Sequence, residues 1–234
     1  MTKTPSIPYF DGHNDALLRL YLDNSGTGIA DFISGNGGKG HVDLPRARQG
    51  GFVGGLFATF SPPAQKAGPS APGVGAIPLS PPLLTAEALP SVLGETAMLL
   101  RLIEASDGQI VLCRSLADIR AAIAAGQIAV VLHMEGCDAI DTDFYALDVM
   151  CAAGLRSLGP VWSRNNAFGH GVPFKFPGSP DQGPGLTEAG RRLVAECNRR
   201  KLLIDLSHLN EQGFWDVAAL SEAPSRVLLA TLDD

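Results

Sequence analysis

The hydrophobic residues of this chain fall into short continuous runs that alternate with helical segments. Continuous apolar runs of strand length are typical of parallel strands, because helices cover both faces of such strands. A repeated order of strand and then helix predicts an α/β fold with a parallel sheet. The runs that carry this prediction are "GFVGGLFATF" (51 to 60), "IAVVLHMEG" (128 to 136), "LRSLGPVW" (155 to 162) and "LLIDLSH" (202 to 208).

The helices between these runs have recognisable ends in the sequence. Ser115 can cap the helix that begins "LADIRAAIA", and Gly126 can stop it. Thr187 similarly opens the helix "EAGRRLVAECNRR", while Gly154 ends the helix before the run at 155 to 162. These boundaries place helices between the predicted strands.

Residues 61 to 82 break the alternation. They contain seven prolines with several Gly and Ser, which predicts a long surface loop rather than a helix or strand. The alternation resumes unchanged afterwards, so the loop is not interpreted as a domain boundary. We therefore expect a single domain over residues 1–234, with an atypical tail at 225–234.

Composition and charge exclude several classes of function. At 234 residues, 45% hydrophobic and 18% charged, the chain can bury a sizeable core. A net charge of −6 and the lack of a Lys/Arg cluster argue against a nucleic-acid partner. The N-terminus lacks the apolar region of an export signal, and no later apolar run approaches the roughly 20 residues that cross a bilayer. We therefore expect a soluble protein without a membrane partner.

The cysteines stand far apart, with no CxxC pair. This spacing favours reduced, mostly buried thiols over a disulfide framework, and so a cytoplasmic location. None has the spacing of a catalytic residue. They are Cys113, Cys137, Cys151 and Cys197.

The stretch "YFDGHND" (9 to 15) offers the first candidate chemistry. A strand places residues i and i+2 on one side of its backbone, so His13 and Asp15 can face one point at the strand's end. In a barrel or doubly wound sheet the carboxyl ends of parallel strands converge, which adds Glu135 from the third predicted strand and His208 from the fifth. Two imidazoles and two carboxylates suit Zn²⁺, Mn²⁺ or a related divalent ion.

Each of the four residues also has a structural interpretation. A histidine and an aspartate two apart occur often by chance. Glu135 can be a carboxylate stabilised by a helix N-terminus, and His208 can be a hydrogen-bonded histidine near a helix cap. The joint pattern at the ends of separate strands favours a metal site over these alternatives.

The segments around these residues resemble the membrane (renal) dipeptidase family, peptidase family M19, whose members are binuclear zinc peptidases with a TIM-barrel fold. The similarity follows the family's order over residues 9 to 224. It is strongest for the soluble bacterial members, which carry a "GPVWSR" segment followed by "FGHGVP", as 159 to 173 do here. The other matching segments are "DGHND" (11 to 15), "GFVGGLF" (51 to 57), "EGCDAI" (135 to 140), "GLTEAGRRLVAECNRRKLLIDLSHLNEQGFWDV" (185 to 217) and "LSEAP" (220 to 224).

The resemblance implies zinc-dependent hydrolysis of dipeptides by a metal-bridged hydroxide. His13 and Asp15 would bind the first zinc ion. Glu135 would bridge both ions as the catalytic carboxylate, and His208 would bind the second.

Two further positions take supporting roles under this resemblance. Gly12 would let the chain turn tightly beside the site. Asp205, which precedes His208, would face the barrel as a partner that supports the ligands or packs against them.

Several histidine positions depart from the family pattern. Mammalian members place a substrate-contacting histidine where this chain has Trp162, so we expect substrate recognition to involve Trp162, with His170 as the residue that compensates. His41 and His133 match no ligand position. We expect His41 to be a loop residue and His133 to be a structural strand side chain.

The sequence departs further after "LSEAP". There the family continues with a second zinc-binding histidine, then an arginine for the substrate carboxylate and an aspartate near the metals. This chain reads "SRVLLATLDD" (225 to 234) instead. We expect a truncated TIM-type barrel of about six βα units. The segment "RVLLATL" can still form the sixth strand, which would place Asp233 or Asp234 near the position of the missing histidine. A frameshifted longer enzyme and a natural short paralogue both fit this pattern.

Three hypotheses remain open. The first is a metallo-dipeptidase that binds two zinc ions and a small dipeptide substrate. The second is an inactive truncated fragment or pseudoenzyme. It would bind at most one ion through His13, Asp15 and Glu135, and an oligomer such as a homodimer would cover its open sheet edge. The third is a related amidohydrolase that acts on another amide or lactam.

Overall fold

The computed structural model describes residues 7–35, 40–63, 80–174 and 177–226. Its strands are β1 (Tyr9–Asn14), β2 (Phe52–Phe60), β3 (Ile110–Leu112), β4 (Ile128–Glu135), β5 (Leu155–Gly159) and β6 (Leu203–Ile204). They form one sheet in the order β1, β2, β4, β5 and β6, with β3 paired to β4. The pairs β1–β2, β3–β4 and β5–β6 are parallel, as the apolar runs predict.

Helices occupy most of the intervals between these strands. Two of the predicted caps are formed: Ser115 Oγ accepts a hydrogen bond from the Asp118 N–H (3.1 Å), and Thr187 Oγ1 accepts one from the Gly190 N–H (3.0 Å). Both interactions satisfy amide groups that the first helical turn leaves unpaired. The helices are α1 (Ala16–Leu22), α2 (Gly28–Ser34), α3 (Leu44–Gly50), α4 (Thr85–Ala105), α5 (Leu116–Ala124), α6 (Tyr145–Ala153), α7 (Glu188–Arg200) and α8 (Glu211–Leu220).

The strand count differs from the sequence prediction. Strand β3 was not predicted, because its three residues are too short to stand out as an apolar run. Glu135 therefore ends the fourth strand rather than the third, and His208 follows the sixth rather than the fifth. Both residues still lie at or just beyond the carboxyl end of a strand, which is the property that the metal-site prediction required.

Contacts divide the chain into two compact units. The single domain that we expect from the sequence over residues 1–234 therefore stays a prediction. The first unit comprises Met1–Phe60, Leu93–His133 and Ala153–Leu155, and the second comprises Ser61–Val92, Met134–Ala152 and Arg156–Asp234.

In the first unit, a glycine lets β2 approach β4 closely. Gly54 lies opposite Phe10 in the β1–β2 register, and a Cβ at Gly54 would lie 2.3 Å from the carbonyl oxygen of Ala129. No larger residue fits there without moving the backbone, which gives the "GFVGGLF" segment a steric reason. The fully buried side chains of this unit include Leu17, Phe57, Leu99, Leu102 and Leu132.

In the second unit, an arginine is buried among apolar side chains. Arg164 has no exposed side-chain surface and lies 2.9 Å from the carboxylate of Asp138, which is equally buried. A buried charge needs such a partner, because an unpaired ion in the interior is strongly unfavourable. The buried apolar side chains of this unit include Met134, Ile140, Leu147, Met150 and Phe168.

Two parts of the sequence prediction fall outside the described residues. One part is residues 64–79, which make up most of the predicted loop at 61–82. The other part is residues 227–234, which include Asp233 and Asp234. At the last described position, Arg226 forms a parallel bridge with Asp205. Among the described helices, none is both long enough and apolar enough to cross a bilayer.

Candidate metal centre

His13 and Asp15 lie together at the carboxyl end of β1. The strand ends at Asn14, so Asp15 stands at the N-cap of α1 rather than in the strand. His13 Nε2 and Asp15 Oδ1 are 3.3 Å apart. Two ligand atoms that each lie about 2.0 Å from a tetrahedral zinc ion are roughly 3.3 Å from each other, so this pair fits one ion.

The end of β1 is fixed by Asp11 and Asn14 rather than by Gly12. Gly12 lies inside the strand, so the expected turn at this position is wrong. Asp11 Oδ2 accepts a hydrogen bond from Asn14 Nδ2 (2.9 Å), and Asp11 Oδ1 accepts one from the His13 N–H (3.3 Å). Short polar side chains often bond to nearby backbone in this way, which is the signal in "DGHND" that could have identified them.

Glu135 and His208 form a second close pair. Glu135 is the last residue of β4, and its Oε1 lies 2.9 Å from Nε2 of His208. The Glu135 and His208 side chains are only 15% and 9% exposed. His208 has a φ of 68°, a left-handed conformation that is uncommon outside glycine and that is found disproportionately at functional sites.

The other ring nitrogen of His208 has a partner of its own. Nδ1 lies 2.8 Å from Oγ of Ser163, a buried serine. The rings of Trp162 and Phe174 both pack near the imidazole, at 6.1 Å and 6.0 Å between centroids. His208 is therefore held through both nitrogens and by aromatic contacts.

The four predicted ligands form two close pairs, each within one unit. His13 Nε2 lies 3.3 Å from Asp15 Oδ1 in the first unit, and Glu135 Oε1 lies 2.9 Å from His208 Nε2 in the second. Imidazole nitrogens and carboxylate oxygens are the donors that zinc accepts in hydrolytic sites. The donor set therefore fits a divalent ion such as zinc.

The two candidate substrate-binding residues have different surroundings. Trp162 lies beside His208, and the guanidinium of Arg164 packs over the Trp162 ring, 5.4 Å from its centroid. His170 is anchored to the segment before α7, because its Nδ1–H donates to the carbonyl oxygen of Gly185 (3.1 Å).

Of the two histidines set aside as structural, one adjoins a predicted ligand. His41 is an exposed loop residue, as expected. His133 is buried in β4, and its ring packs edge-on against that of His13, with centroids 5.5 Å apart. Its position two residues before Glu135 places both side chains on one side of β4, which is a spacing signal that the sequence prediction did not use.

Asp205 holds the turn that leads to His208. Its Oδ1 accepts hydrogen bonds from the N–H (3.0 Å) and the hydroxyl (2.6 Å) of Ser207, and its Oδ2 lies 2.8 Å from Nη2 of Arg226. Asp205 thus supports the backbone next to a predicted ligand, in agreement with the supporting role expected for it.

The described cysteines are free thiols with little access to solvent. Cys113, Cys137 and Cys197 are buried, and Cys151 is half-buried. Burial raises the pKa of Cys197 to about 12 and raises the pKa of Cys137 well above its ordinary value. A protonated thiol is a poor nucleophile and a poor metal ligand, so these cysteines do not contribute to the candidate site.

Comparison with known sequences places the chain among peptidases. The profile of the family described as "Membrane dipeptidase (Peptidase family M19)" matches residues 4–230. An uncharacterized protein in the PQQ-III 3′ region of Acinetobacter calcoaceticus is 38% identical over 222 residues, which cover 95% of this chain and 70% of that protein.

Comparison with solved structures gives the same family and confirms the predicted fold class, an incomplete TIM-type barrel. A metallo peptidase from Rhodobacter sphaeroides, crystallised with a phosphinate mimic of the dipeptide L-Ala-D-Ala, has a TM-score of 0.88 and 49% identity. Dipeptidase AC, a metallo peptidase of family M19, has a TM-score of 0.86 and 50% identity. Each alignment covers 94% of this chain, which spans 64% of the first protein and 62% of the second. The family profile covers nearly all of the sequence, and the chain therefore belongs to the membrane dipeptidase family, peptidase family M19.

Proposed function

We propose that this chain acts as a zinc-dependent dipeptidase. The observation that carries the proposal is the pairing of an imidazole with a carboxylate at two strand ends, His13 with Asp15 at 3.3 Å and Glu135 with His208 at 2.9 Å. Membership of family M19 supports a metal there. The dipeptide mimic bound to the Rhodobacter sphaeroides peptidase supports a small dipeptide as the substrate.

In this proposal His13, Asp15, Glu135 and His208 hold two zinc ions. Glu135 is suited to serve both, because a carboxylate has two oxygens and one of them already lies 2.9 Å from His208 Nε2. When bound, zinc polarises the peptide carbonyl and lowers the pKa of water so that a nucleophile is available near neutral pH. Held by these residues, the two ions would supply the hydroxide that attacks the peptide carbonyl.

The chain's own residues would shape the rest of the site. Trp162 and Phe174 lie 5.5 Å apart between ring centroids and present apolar surface beside His208. Such a surface excludes water from one side of the ligand and strengthens the electrostatic interactions there. We assign Trp162 and His170 to substrate binding.

Metal content and turnover test the proposal together. The purified protein should contain two zinc ions by mass spectrometry and should hydrolyse L-Ala-D-Ala, as measured by release of free alanine. His13→Ala should lower turnover by about 100-fold or more, since the polarisation that a metal supplies is worth several kcal/mol. His41→Ala, at an exposed loop histidine, is the matched control and should be neutral.

The alternatives predict other results in the same assays. An inactive fragment or pseudoenzyme would bind one ion or none and would release no alanine. An amidohydrolase with another substrate would bind metal, fail on dipeptides and hydrolyse a different amide. Turnover that survives His13→Ala unchanged would contradict the proposed centre. The expected homodimer is tested separately, by sedimentation of the purified protein.

A further inference from the structure

We propose that Ser163 is a positioning residue that keeps the proton of His208 on Nδ1 and so leaves the Nε2 lone pair for a metal ion. The inference rests on the proposed function, and it adds a residue outside the predicted ligand set. Its basis is the 2.8 Å separation between Ser163 Oγ and His208 Nδ1.

The chemistry of the imidazole makes this contact decisive. A neutral histidine carries its proton on one ring nitrogen only, and the nitrogen that binds a metal must be the unprotonated one. The proton on the other nitrogen then needs an acceptor, because a buried N–H without a partner is unfavourable. Ser163 Oγ, 2.8 Å from Nδ1, can be that acceptor. At Nε2, which lies 2.9 Å from the Glu135 carboxylate, a zinc ion would take the place of a proton.

Ser163 is held in place by the residues on either side of it. Arg164 is fully buried, donates from Nε to Asp138 (2.9 Å) and donates from Nη2 to the carbonyl oxygen of Ser61. The Arg164 guanidinium also packs against the ring of Trp162. The contacts of Arg164 with Asp138 and Ser61 thus hold the backbone next to Ser163 and do not involve His208.

His208 is fixed just as independently. Its carbonyl oxygen accepts a hydrogen bond from the Val172 N–H (2.7 Å), and Asp205 anchors the neighbouring Ser207. Because both backbones are set by other contacts, the hydroxyl and the imidazole meet without rearrangement. Fixed outer contacts of this kind are what keep a metal ligand in a productive orientation.

Three variants separate positioning from general packing. Ser163→Ala should raise the zinc dissociation constant, measured by competition with a chelator, by about 10- to 100-fold. Ser163→Thr keeps the hydroxyl and should restore most of the affinity. Ser91→Ala removes another buried hydroxyl, one that donates to the Ala88 carbonyl oxygen (2.9 Å), and should leave zinc affinity unchanged.

A spectroscopic readout tests the tautomer directly. In zinc-loaded protein labelled with ¹⁵N-histidine, the His208 signals, assigned by their loss in His208→Asn, should show the proton on Nδ1 in the wild type. In Ser163→Ala the proportion of that tautomer should fall. The wild-type measurement keeps the inference testable even if Ser163→Ala does not fold.

The outcomes distinguish this inference from the metal centre itself. Wild-type zinc affinity in Ser163→Ala, or a His208 that binds zinc with Nδ1 unprotonated, would overturn the role of Ser163 and leave the centre intact. A wild-type protein that binds no zinc would overturn both.

Discussion

Arg164 and Asp138 form an ion pair from which water is excluded: Arg164 Nε lies 2.9 Å from Asp138 Oδ1, and neither side chain is exposed. Arg164→Met keeps much of the side-chain length and leaves the Asp138 carboxylate buried without its cation. We expect a loss of about 3–5 kcal/mol in the free energy of unfolding, measured with urea.

A double variant and a surface control sharpen this test. Arg164→Met combined with Asp138→Leu removes both charges and should recover much of the loss. Arg199→Met disrupts the pair with Glu196 at 2.6 Å, but the Arg199 side chain is 62% exposed, so the cost should stay below about 1 kcal/mol. Equal losses for the single and double variants would contradict the argument.

The carboxylate of Glu135 is the second target. Glu135→Gln preserves the shape of the side chain and removes its charge at a position 2.9 Å from His208 Nε2. We expect the zinc affinity to fall by at least about tenfold. Replacing a residue that only supports a metal ligand already lowers metal affinity by about that factor, and Glu135 is itself a proposed ligand. Equilibrium dialysis against zinc measures the change.

Glu196→Gln is the matched control for that measurement. Glu196 bonds to Arg199 and Arg200 on α7, and these arginines lower the pKa of its carboxyl. Its loss should leave zinc binding unchanged. A Glu135→Gln protein that binds zinc as tightly as the wild type would remove Glu135 from the ligand set.

The buried thiols predict a loss of stability in alkali. Burial raises the pKa of Cys197 from 9.0 to about 12, so the unfolded chain loses this proton at a lower pH than the folded chain does. The stabilising contribution is complete below about pH 9 and is lost as the pH rises toward 12. The free energy of unfolding should fall by about 1.4 kcal/mol per pH unit for each such thiol, as urea titrations at pH 8, 9 and 10 would measure.

Two comparisons identify Cys197 as a source of that slope. Cys197→Ala should reduce the pH dependence between 9 and 10. In the native protein at pH 8, the half-buried Cys151 should react with a thiol reagent before Cys113, Cys137 and Cys197, which are buried. A native protein in which the buried thiols react as fast as Cys151 would contradict this order.

The cap of α5 predicts a smaller local effect. Ser115 Oγ accepts a hydrogen bond from the Asp118 N–H at 3.1 Å, and Ser115→Ala leaves that amide without its partner. We expect a loss of about 1 kcal/mol in the free energy of unfolding, whereas Ser115→Asp should be close to neutral because aspartate also caps well. Thermal unfolding followed by circular dichroism measures both, and equal losses in the two variants would rule out a capping role.

Local features of the sequence predicted α5, α6, α7 and most of the strands. Ser115 and Thr187 cap helices where their types and positions indicated, because a cap depends on groups within three residues of it. Strand β3 escaped prediction because three residues carry too little periodicity. Asp15 was expected in the first strand, but that strand ends at Asn14 and Asp15 is the N-cap of α1.

Contacts between distant segments could not be predicted in the same way. Ser163 and His208 are 45 residues apart, and nothing local in "VWSRN" indicates that its hydroxyl meets an imidazole. The packing of His133 on His13 likewise joins two strands. The sequence supported a ligand set at strand ends, while the residues that orient those ligands emerged only from the tertiary contacts.

The left-handed backbone of His208, with its φ of 68°, carries an evolutionary consequence. Glycine adopts this conformation at no steric cost, so the backbone alone would favour glycine at the position that the proposed centre reserves for a ligand. A laboratory screen that rewards heat tolerance without asking for hydrolysis would therefore tend to discard the histidine, and the most heat-tolerant descendants would lose zinc first.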